Sequence, residues 1–334
     1  MSGGPGEAAP DPLGGAVPAV FLVGATASGK GAVAYGLAER LGAEILSLDS
    51  MKLYRGLDAG TNKPAAALRD RVPTHLVDVV DPSEEFSVER YRDEALRIAS
   101  EVRGRGRRPL FVGGTPLYLK ALLSGLFEGP SADLALRGRL EAEAVERGAP
   151  ALHARLASVD PEAARRIHPR DLRRIVRALE VHELTGRPIS EWQRQWGTER
   201  ADVVTIGIRR DREDLKRRIA ERVDAMFASG LVEETRRLAA SPAGLSRTAA
   251  KAIGTRQVID ALAGRYSMEE ARRLTVRETV RYARQQLAWF RRFPGLVWID
   301  VRPGITIGEA VGLALEAVRE GERLTADKGR TSRS

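Results

Sequence analysis

The sequence predicts an α/β protein in which helices flank a parallel β-sheet and a helical insertion domain interrupts the chain. Apolar runs alternate with helical patterns over the first part of the chain. From about Pro130 to Trp196 the strand signal vanishes and the sequence becomes helical and basic. Strands that alternate with helices form parallel sheets covered on both faces, so we expect the sheet outside this helical stretch.

The first element is a buried strand, followed by a glycine-rich turn and a helix. The glycines permit a tight turn in which successive backbone N–H groups and the positive end of the helix face one anion, and a lysine adds a compact charge. This pattern predicts a phosphate-binding P-loop, and therefore a sheet of the P-loop type. The predicted phosphate-binding residues are Gly24, Ala25, Thr26, Ala27, Ser28, Gly29, Lys30 and Gly31.

The last position of this P-loop departs from the consensus, which has Ser or Thr where this chain has Gly31. In nucleoside triphosphatases that hydroxyl binds magnesium beside the terminal phosphates. Its loss argues against efficient ATP hydrolysis more than against binding of a diphosphate. The hydroxyls of Thr26 and Ser28 remain nearby and could contact phosphate or a metal-bound water.

Further strands are predicted at the apolar runs "AEILSLDS", "HLVDVVD", "PLFVGGT" and "VVTIGI", with a short final strand at "LVWID". Ligands of parallel sheets bind beyond the carboxyl ends of the strands. Asp49 and Ser50 follow the second strand, and Gly113 to Thr115 follow "PLFV". Asp49 could hold magnesium through water, act as a base or cap the next helix. The two glycines could admit a ligand or simply form a tight turn.

The organisation along the chain follows from these patterns. Glycine, proline and alanine dominate the start of the chain, and its end is polar, so we expect both to be disordered. The predicted parts are a tail at 1–17, the first part of the core at 18–129, the helical insertion at 130–197, the mostly helical remainder of the core at 198–320, and a second tail at 321–334.

Composition excludes some classes of protein. The chain has no cysteine, which excludes disulfides, thiolate nucleophiles and cysteine-ligated metal centres. Its net charge of +9, with 54 basic against 45 acidic residues, suits a polyanionic partner, although an arginine-rich proteome would give the same excess. We found no apolar run of about 20 residues and no signal-peptide pattern, so we expect a cytoplasmic protein that does not bind membranes.

Several segments, in order from about residue 20 to residue 300, together resemble the tRNA dimethylallyltransferase family. They are "GATASGK", "SLDSMKLYRGLDAGTNKP", "HLVDVVDPSEEFSVERYRDEA", "FVGGTPLYLKALLSGL", "PSADLALRGRLE", "DPEAARRIHPRDLRRIVRALEV" and "RYARQQLAWFRR". The resemblance implies transfer of the dimethylallyl group of dimethylallyl diphosphate to N6 of the adenine next to the anticodon, with release of diphosphate. It also implies that Mg²⁺ is the cofactor, bound through Ser28 or water. We expect a monomer whose partner is the anticodon stem-loop of tRNA.

The resemblance also assigns roles to residues of the predicted site. Asp49 would accept a proton from adenine N6, Thr115 would lie near the base and the phosphates, and Arg222 would bind the diphosphate. Its position alone favours a surface arginine paired with Glu221 or Asp224. The segments implied to bind tRNA comprise Asp49, Ser50, Met51, Lys52, Arg137, Arg173, Arg174, Ile175, Val176, Arg177, Lys251, Arg256, Arg284, Trp289 and Arg291.

These segments also have purely structural explanations. Each basic cluster could be a solvated helix face, Trp289 and Phe290 could belong to the core, and we interpret His168 as structural. Lys52 stands where the family often has Gln, and Thr255 stands where Tyr is usual. The alternative functions are a P-loop kinase of a small metabolite and a tRNA-binding homologue with impaired catalysis.

Overall fold

Six parallel strands form one sheet in the order β3-β2-β4-β1-β5-β6. The computed structural model describes residues 11–15, 17–126, 129–194, 200 and 202–331, with side chains up to residue 327. The predicted α/β fold class is confirmed. The strands are β1 (Val20–Gly24), β2 (Ala43–Leu48), β3 (Thr74–His75), β4 (Arg108–Gly113), β5 (Val204–Arg209) and β6 (Val297–Asp300).

The chain divides into two compact units. The first comprises the residues up to Leu122 and from Arg200 onward, and contains the sheet. Its helices include α1 (Lys30–Leu41), α2 (Ala66–Arg71), α3 (Val88–Gly104), α4 (Pro116–Ser124), α10 (Arg212–Ala228), α11 (Leu231–Ala239), α12 (Thr255–Leu262), α13 (Met268–Phe290) and α14 (Ile307–Thr331). The second unit, 123–199, contains α5 (Leu134–Arg147), α6 (Ala149–Val159), α7 (Pro161–Arg166), α8 (Leu172–Thr185) and α9 (Ile189–Gln193).

The central strands are apolar because the sheet is covered on both faces. Every residue of β1 is buried, and Phe21 stacks on Phe111 of the neighbouring β4 with ring centroids 4.6 Å apart. The apolar face of α1 packs against α14, where Val311 and Ala314 are buried. Across the described residues, none of the helices combines the length and the apolar character that a bilayer span requires.

The run "HLVDVVD" is mostly loop, contrary to the predicted strand. Only His75 of this run lies in β3, and the backbone then turns through left-handed conformations at Leu76 and Asp78, with φ of 60° and 58°. The loop that follows is tied to the segment after β2, because the amide of Asp78 donates to the carbonyl of Lys52 (3.1 Å) and that of Val79 to the carbonyl of Leu53 (2.8 Å).

Parts of both predicted tails are ordered. Leu13 is fully buried, and Arg103 donates to its carbonyl oxygen (3.0 Å). Helix α14 continues to Thr331, and its Glu322 forms an ion pair of 2.8 Å with Arg108. The composition of the two tails gave no sign of these contacts, which are made with residues distant in sequence. The remaining tail residues, 1–10, 16 and 332–334, lie outside the described part of the chain.

The helical unit has its own apolar core and a buried carboxylate. Its range, 123–199, encloses the insertion predicted at 130–197. Glu180 is fully buried and accepts hydrogen bonds from the side chains of Arg137 (2.8 Å) and Arg177 (2.5 Å) and from the amide of Asp133 (2.8 Å). Burial opposes the ionised form, but these donors outweigh it and hold the pKa of Glu180 below its ordinary value.

The first prediction concerns this carboxylate. Glu180→Gln should lower the free energy of unfolding of the helical unit by about 2 kcal/mol, because it removes charge-assisted hydrogen bonds in a buried place. Since the pKa is lowered in the folded state, the wild-type advantage should be present above the ordinary pKa of 4.5 and be lost at lower pH. Hydrogen exchange of the backbone amides of α5 and α8, at neutral and at acid pH, measures this difference in stability. The control is Glu183→Gln. Glu183 lies on α8, as Glu180 does, but it is exposed and pairs with Arg155. Equal protection in both variants would contradict the assignment.

Candidate active site

The P-loop presents a group of unpaired backbone N–H donors. Ala27 and Gly29 have left-handed backbones, with φ of 61° and 92°, and α1 begins at Lys30. Among the described residues, the amides of Ala27, Gly29, Lys30 and Gly31 have no hydrogen-bond acceptor. Such a nest at a helix N-terminus binds anions. The geometry therefore suits the predicted phosphate site.

Three arginines form hydrogen bonds to the P-loop. Arg210 Nε donates to the carbonyl of Ser28 (2.7 Å), and Arg218 Nε donates to that of Ala27 (3.0 Å). Arg222 donates to Thr26 Oγ1 (2.9 Å) and to the carbonyl of Thr61 (3.3 Å). With its carbonyls engaged by the arginines, the turn keeps its free N–H groups available to a ligand.

Gln286 of α13 joins the P-loop to the turn after β4. This buried side chain accepts from the amide of Thr26 (2.9 Å) and donates to the carbonyl of Gly114 (2.5 Å). The amide of Thr26 is therefore occupied, although the sequence suggested it as a phosphate donor. Both contacts span more than 170 residues of sequence.

Asp49 and Thr115 meet beyond the ends of β2 and β4. Asp49 Oδ1 accepts from the amide of Met51 (3.0 Å), and Thr115 Oγ1 accepts from the amide of Ser50 (3.1 Å). The next helix, α2, begins at Ala66, so Asp49 does not cap it. No hydrogen bond to another described residue engages Asp49 Oδ2. One carboxylate oxygen thus fixes the turn and the other is available.

The two glycines at the end of β4 are required by close packing within the protein. A Cβ at Gly113 would lie 2.0 Å from the carbonyl oxygen of Leu48, and one at Gly114 would lie 2.4 Å from Gln286 Nε2. At Gly114 the same Cβ would also lie 3.4 Å from Lys30 Nζ. These glycines therefore bring the P-loop lysine and the ends of β2 and β4 together.

Positive charge exceeds negative charge at this site. The pKa of Lys30 is lowered to about 7, chiefly by burial and also by the charges of Lys52 and Arg222, while the charge of Asp49 opposes this shift. Burial likewise lowers the pKa of Lys52 and that of Arg222. Three cations thus share one carboxylate, which favours a polyanionic ligand.

Tyrosines lie on the Asp49 side of the site. Tyr91 and Tyr118 stack with ring centroids 3.7 Å apart, and the Tyr91 hydroxyl donates to the carbonyl of Ser47 (3.0 Å). Burial raises the pKa of Tyr282 to about 12, with the charge of Asp49 adding to the shift. The charge of Asp49 thus acts on all three tyrosines.

The donor set suits a magnesium ion that arrives with phosphate ligands. The described residues contain no cluster of three or more metal-ligating side chains, and the Ser28 hydroxyl is buried, without a partner. It lies 3.1 Å from where a Cβ of Gly24 would be. Magnesium is commonly held by one or two carboxylates together with phosphates and water. Asp49 can supply such a carboxylate, whereas Ser28 does not face solvent.

The predicted tRNA-binding residues of the sheet-containing unit are mostly accessible. Lys251, Arg256, Arg284 and Arg291 are exposed. Ser50, Met51, Lys52 and Trp289 are half-buried, whereas Phe290 is fully buried in the core.

Within the helical unit, the predicted tRNA-binding residues separate into two groups. Arg173 and Arg174 are exposed. Ile175 and Val176 are buried in the core of the unit, so their side chains are not presented to a partner. Arg137 and Arg177 bind Glu180 and thus have a structural role. His168 is exposed, and its Nδ1 accepts from the amide of Arg170 (3.1 Å), in line with a local structural role.

Sequence reasoning missed Arg210, Arg218, Gln286 and Tyr282. Arg210 directly follows β5, so the rule that functional residues follow parallel strands could have found it. Arg218 precedes Arg222 by four residues and shares its helix face. For Gln286 and Tyr282 the sequence carries no such signal, because α13 reaches the P-loop only through tertiary packing. The alternative for Arg222 is excluded by its contacts with Thr26 and Thr61.

Comparison with known proteins agrees with this geometry. The sequence profile of the family described as IPP transferase matches residues 52–293. The tRNA dimethylallyltransferase of Geobacter sulfurreducens is 49% identical over 283 residues, which cover 84% of this chain and 91% of the relative. That of Thiobacillus denitrificans is 47% identical over 86% of this chain and 92% of the relative.

Solved structures are similar over the same range. The tRNA isopentenylpyrophosphate transferase of Bacillus halodurans has 38% identity and a TM-score of 0.66, covering 91% of this chain and 98% of that one. A eukaryotic dimethylallyltransferase acting on tRNA has 25% identity and a TM-score of 0.71, covering 85% and 74%. With its P-loop, its Asp49 and its arginines in one site, the chain belongs to the IPP transferase family, that of the tRNA dimethylallyltransferases.

Proposed function

We propose that this enzyme transfers the dimethylallyl group from dimethylallyl diphosphate to N6 of the adenine adjacent to the anticodon, releasing diphosphate. As a member of its family it is a prenyltransferase that modifies tRNA. The observation that carries the finer proposal is the convergence of the free P-loop amides, Lys30 and Arg222 beside Asp49. An anion cradle next to a single available carboxylate suits transfer away from a diphosphate.

The first role of the site is to stabilise the diphosphate leaving group. As the allylic C–O bond breaks, negative charge grows on the diphosphate, and donors already aimed at it lower the barrier. The amides of Gly29 and Gly31, the ammonium of Lys30 and the guanidinium of Arg222 would supply these donors. Because Arg210, Arg218 and Gln286 hold the P-loop, little reorganisation is needed when the charge develops.

Asp49 would act on the nucleophile. The N6 lone pair of adenine is shared with its ring, so a carboxylate that accepts an N6 proton both orients and activates it. Oδ2 of Asp49 is available for this, since Oδ1 is held by the amide of Met51. Thr115, fixed beside Ser50, would position the base, and Tyr282 lies close enough to Asp49 for its pKa to respond to that charge. The adenine must leave its stack to reach them.

A magnesium ion is proposed as cofactor. It would be held by diphosphate oxygens and water, which leaves Oδ2 of Asp49 free for N6, and when bound it would neutralise charge on the leaving group. We further propose that the enzyme acts as a cytoplasmic monomer, since its substrate is tRNA. A small-metabolite kinase is disfavoured because Gly31 lacks the hydroxyl that holds magnesium in such enzymes.

Asp49→Asn tests the role of the carboxylate. The amide oxygen can still accept from Met51, but N6 loses its proton acceptor, so the single-turnover rate should fall by about 10²- to 10⁴-fold while binding of diphosphate and tRNA persists. Rapid-quench assays with a stem-loop and dimethylallyl diphosphate measure the rate. Asp93→Asn, an exposed carboxylate of α3, is the control. An unchanged rate in Asp49→Asn would remove this residue from the mechanism.

The low pKa of Lys30 predicts pH-dependent diphosphate binding. A bound anion stabilises the ammonium and raises its pKa, so above pH of about 7 binding must take up a proton and should weaken as the pH rises. Calorimetry in buffers of different ionisation enthalpy measures this uptake. Diphosphate itself also takes up protons. The prediction therefore concerns the difference in proton uptake between wild type and Lys30→Arg, whose guanidinium stays charged. Equal uptake by both proteins would contradict the prediction.

The exposed arginines of α8 are proposed to bind tRNA phosphates. Arg173→Ala with Arg174→Ala should weaken stem-loop binding and lower the salt slope of the affinity by roughly one to two, since each neutralised phosphate adds to the slope. Binding is measured across a salt series. Arg147→Ala with Arg155→Ala removes the same charge from the same unit and should change the slope less. If the two pairs behave alike, this face of α8 is merely solvated.

A further inference from the structure

Lys52 is a half-buried cation without a partner. Among the described residues, no hydrogen bond or ion pair engages its ammonium. Its backbone is fixed, because its carbonyl accepts from the amide of Asp78 (3.1 Å). The neighbouring Lys63, by contrast, is paired with Asp58 (2.7 Å) and Asp78 (2.5 Å). An unpaired, half-buried ammonium is costly unless a ligand compensates it.

The charge of Lys52 acts on the P-loop. It lowers the pKa of Lys30, and both Arg222 and Asp49 influence the pKa of Lys52 in turn. Lys30, Lys52 and Arg222 each interact with the charge of Asp49, so the cations outnumber this carboxylate. A diphosphate carries enough negative charge to balance this excess.

Gly31 lacks a hydroxyl, although nothing in the fold requires a glycine there. A Cβ at position 31 would meet no atom within 4 Å outside its own helical turn, and its φ is not in the left-handed region. The Ser28 hydroxyl is buried and offers no substitute. This P-loop thus lacks the usual protein ligand for magnesium but has an additional cation nearby.

We propose that Lys52 binds the diphosphate of the prenyl donor and supplies part of the charge that a magnesium ion held at position 31 would otherwise provide. The proposal rests on the proposed function, in which this site holds a diphosphate. It makes Lys52 a ligand of the leaving group rather than of tRNA. Diphosphate binding by this enzyme should then depend only weakly on magnesium. It should depend more strongly on magnesium in an enzyme that has a hydroxyl at position 31 and no lysine at position 52.

The position of Lys52 favours the diphosphate over RNA. The charges that act on Lys52 are those of Asp49, Arg222 and Lys63, and Arg222 itself is bound to Thr26 of the P-loop. A ligand between Lys30 and Arg222 therefore lies within the field of Lys52. A tRNA phosphate at this depth would have to displace the diphosphate, which is the smaller and more highly charged anion.

The experiment measures binding of inorganic pyrophosphate to the full-length protein by calorimetry, with EDTA or with Mg²⁺, on the acid side of the Lys30 pKa of about 7. The variants are Lys52→Gln, Lys52→Arg, Gly31→Thr and the double variant Lys52→Gln with Gly31→Thr. Lys216→Gln, which changes a half-buried lysine of α10 paired with Glu213, is the matched control. Melting temperatures show which variants are folded, and stem-loop affinity is measured for each.

In EDTA, Lys52→Gln should weaken pyrophosphate binding by about tenfold or more, Lys52→Arg should retain it, and Lys216→Gln should match wild type. Magnesium should strengthen binding more in the double variant than in wild type. Stem-loop affinity should not change. Should Lys52→Gln fail to fold, Lys52→Arg and Gly31→Thr still test the proposal through their magnesium dependence.

Each of the following results would overturn the proposal. Pyrophosphate affinity that is unchanged in Lys52→Gln while stem-loop affinity falls would make Lys52 a tRNA ligand. Equal magnesium enhancement in wild type and the double variant would show that Lys52 does not replace the ion. If the wild-type protein binds no pyrophosphate under either condition, the proposed function is overturned as well. If the wild-type protein transfers the prenyl group but Lys52→Gln binds pyrophosphate as wild type does, only this inference is overturned.

Discussion

The site depends on the hydrogen bonds that three arginines make to the P-loop. Arg210 and Arg218 engage the carbonyls of Ser28 and Ala27, and Arg222 engages the hydroxyl of Thr26. These bonds fix a turn that includes a non-glycine residue in a left-handed backbone, and they leave the inner amides without acceptors. A cradle held in this way needs little rearrangement when charge develops on its ligand, which is the condition for electrostatic catalysis.

The site also contains unbalanced positive charge that is partly buried. Lys30, Lys52 and Arg222 all have lowered pKa values, first because burial disfavours their charged forms. Folding alone does not compensate these groups, so the anionic substrate completes the electrostatics of the site. The helical unit shows the opposite solution, because its buried Glu180 is balanced internally by Arg137 and Arg177. Basic residues that look alike in sequence thus serve binding in one unit and stability in the other.

Several features of the fold and the site were predictable because their causes are local. The P-loop glycines, the strand before them and the helix after them lie within one short segment, and Asp49 follows the next apolar strand. Other predictions failed where distant contacts decided the outcome. "HLVDVVD" has the alternation of a strand, yet its backbone turns at Leu76 and Asp78 to pair with the segment after β2. Leu13 and helix α14 are ordered by Arg103 and Arg108, which no local pattern reveals.

By itself, the sequence determined the fold class, the phosphate cradle and the carboxylate beside it, because strand period, glycine spacing and position after a strand are properties of neighbouring residues. Only the tertiary structure decided which polar residues serve the site. Gln286 joins two turns that lie far from it in sequence, and Arg177 is bound to a buried carboxylate. The physical reason is that hydrogen-bond partners and burial depend on which helix faces are packed together, and single-chain periodicity does not specify that packing.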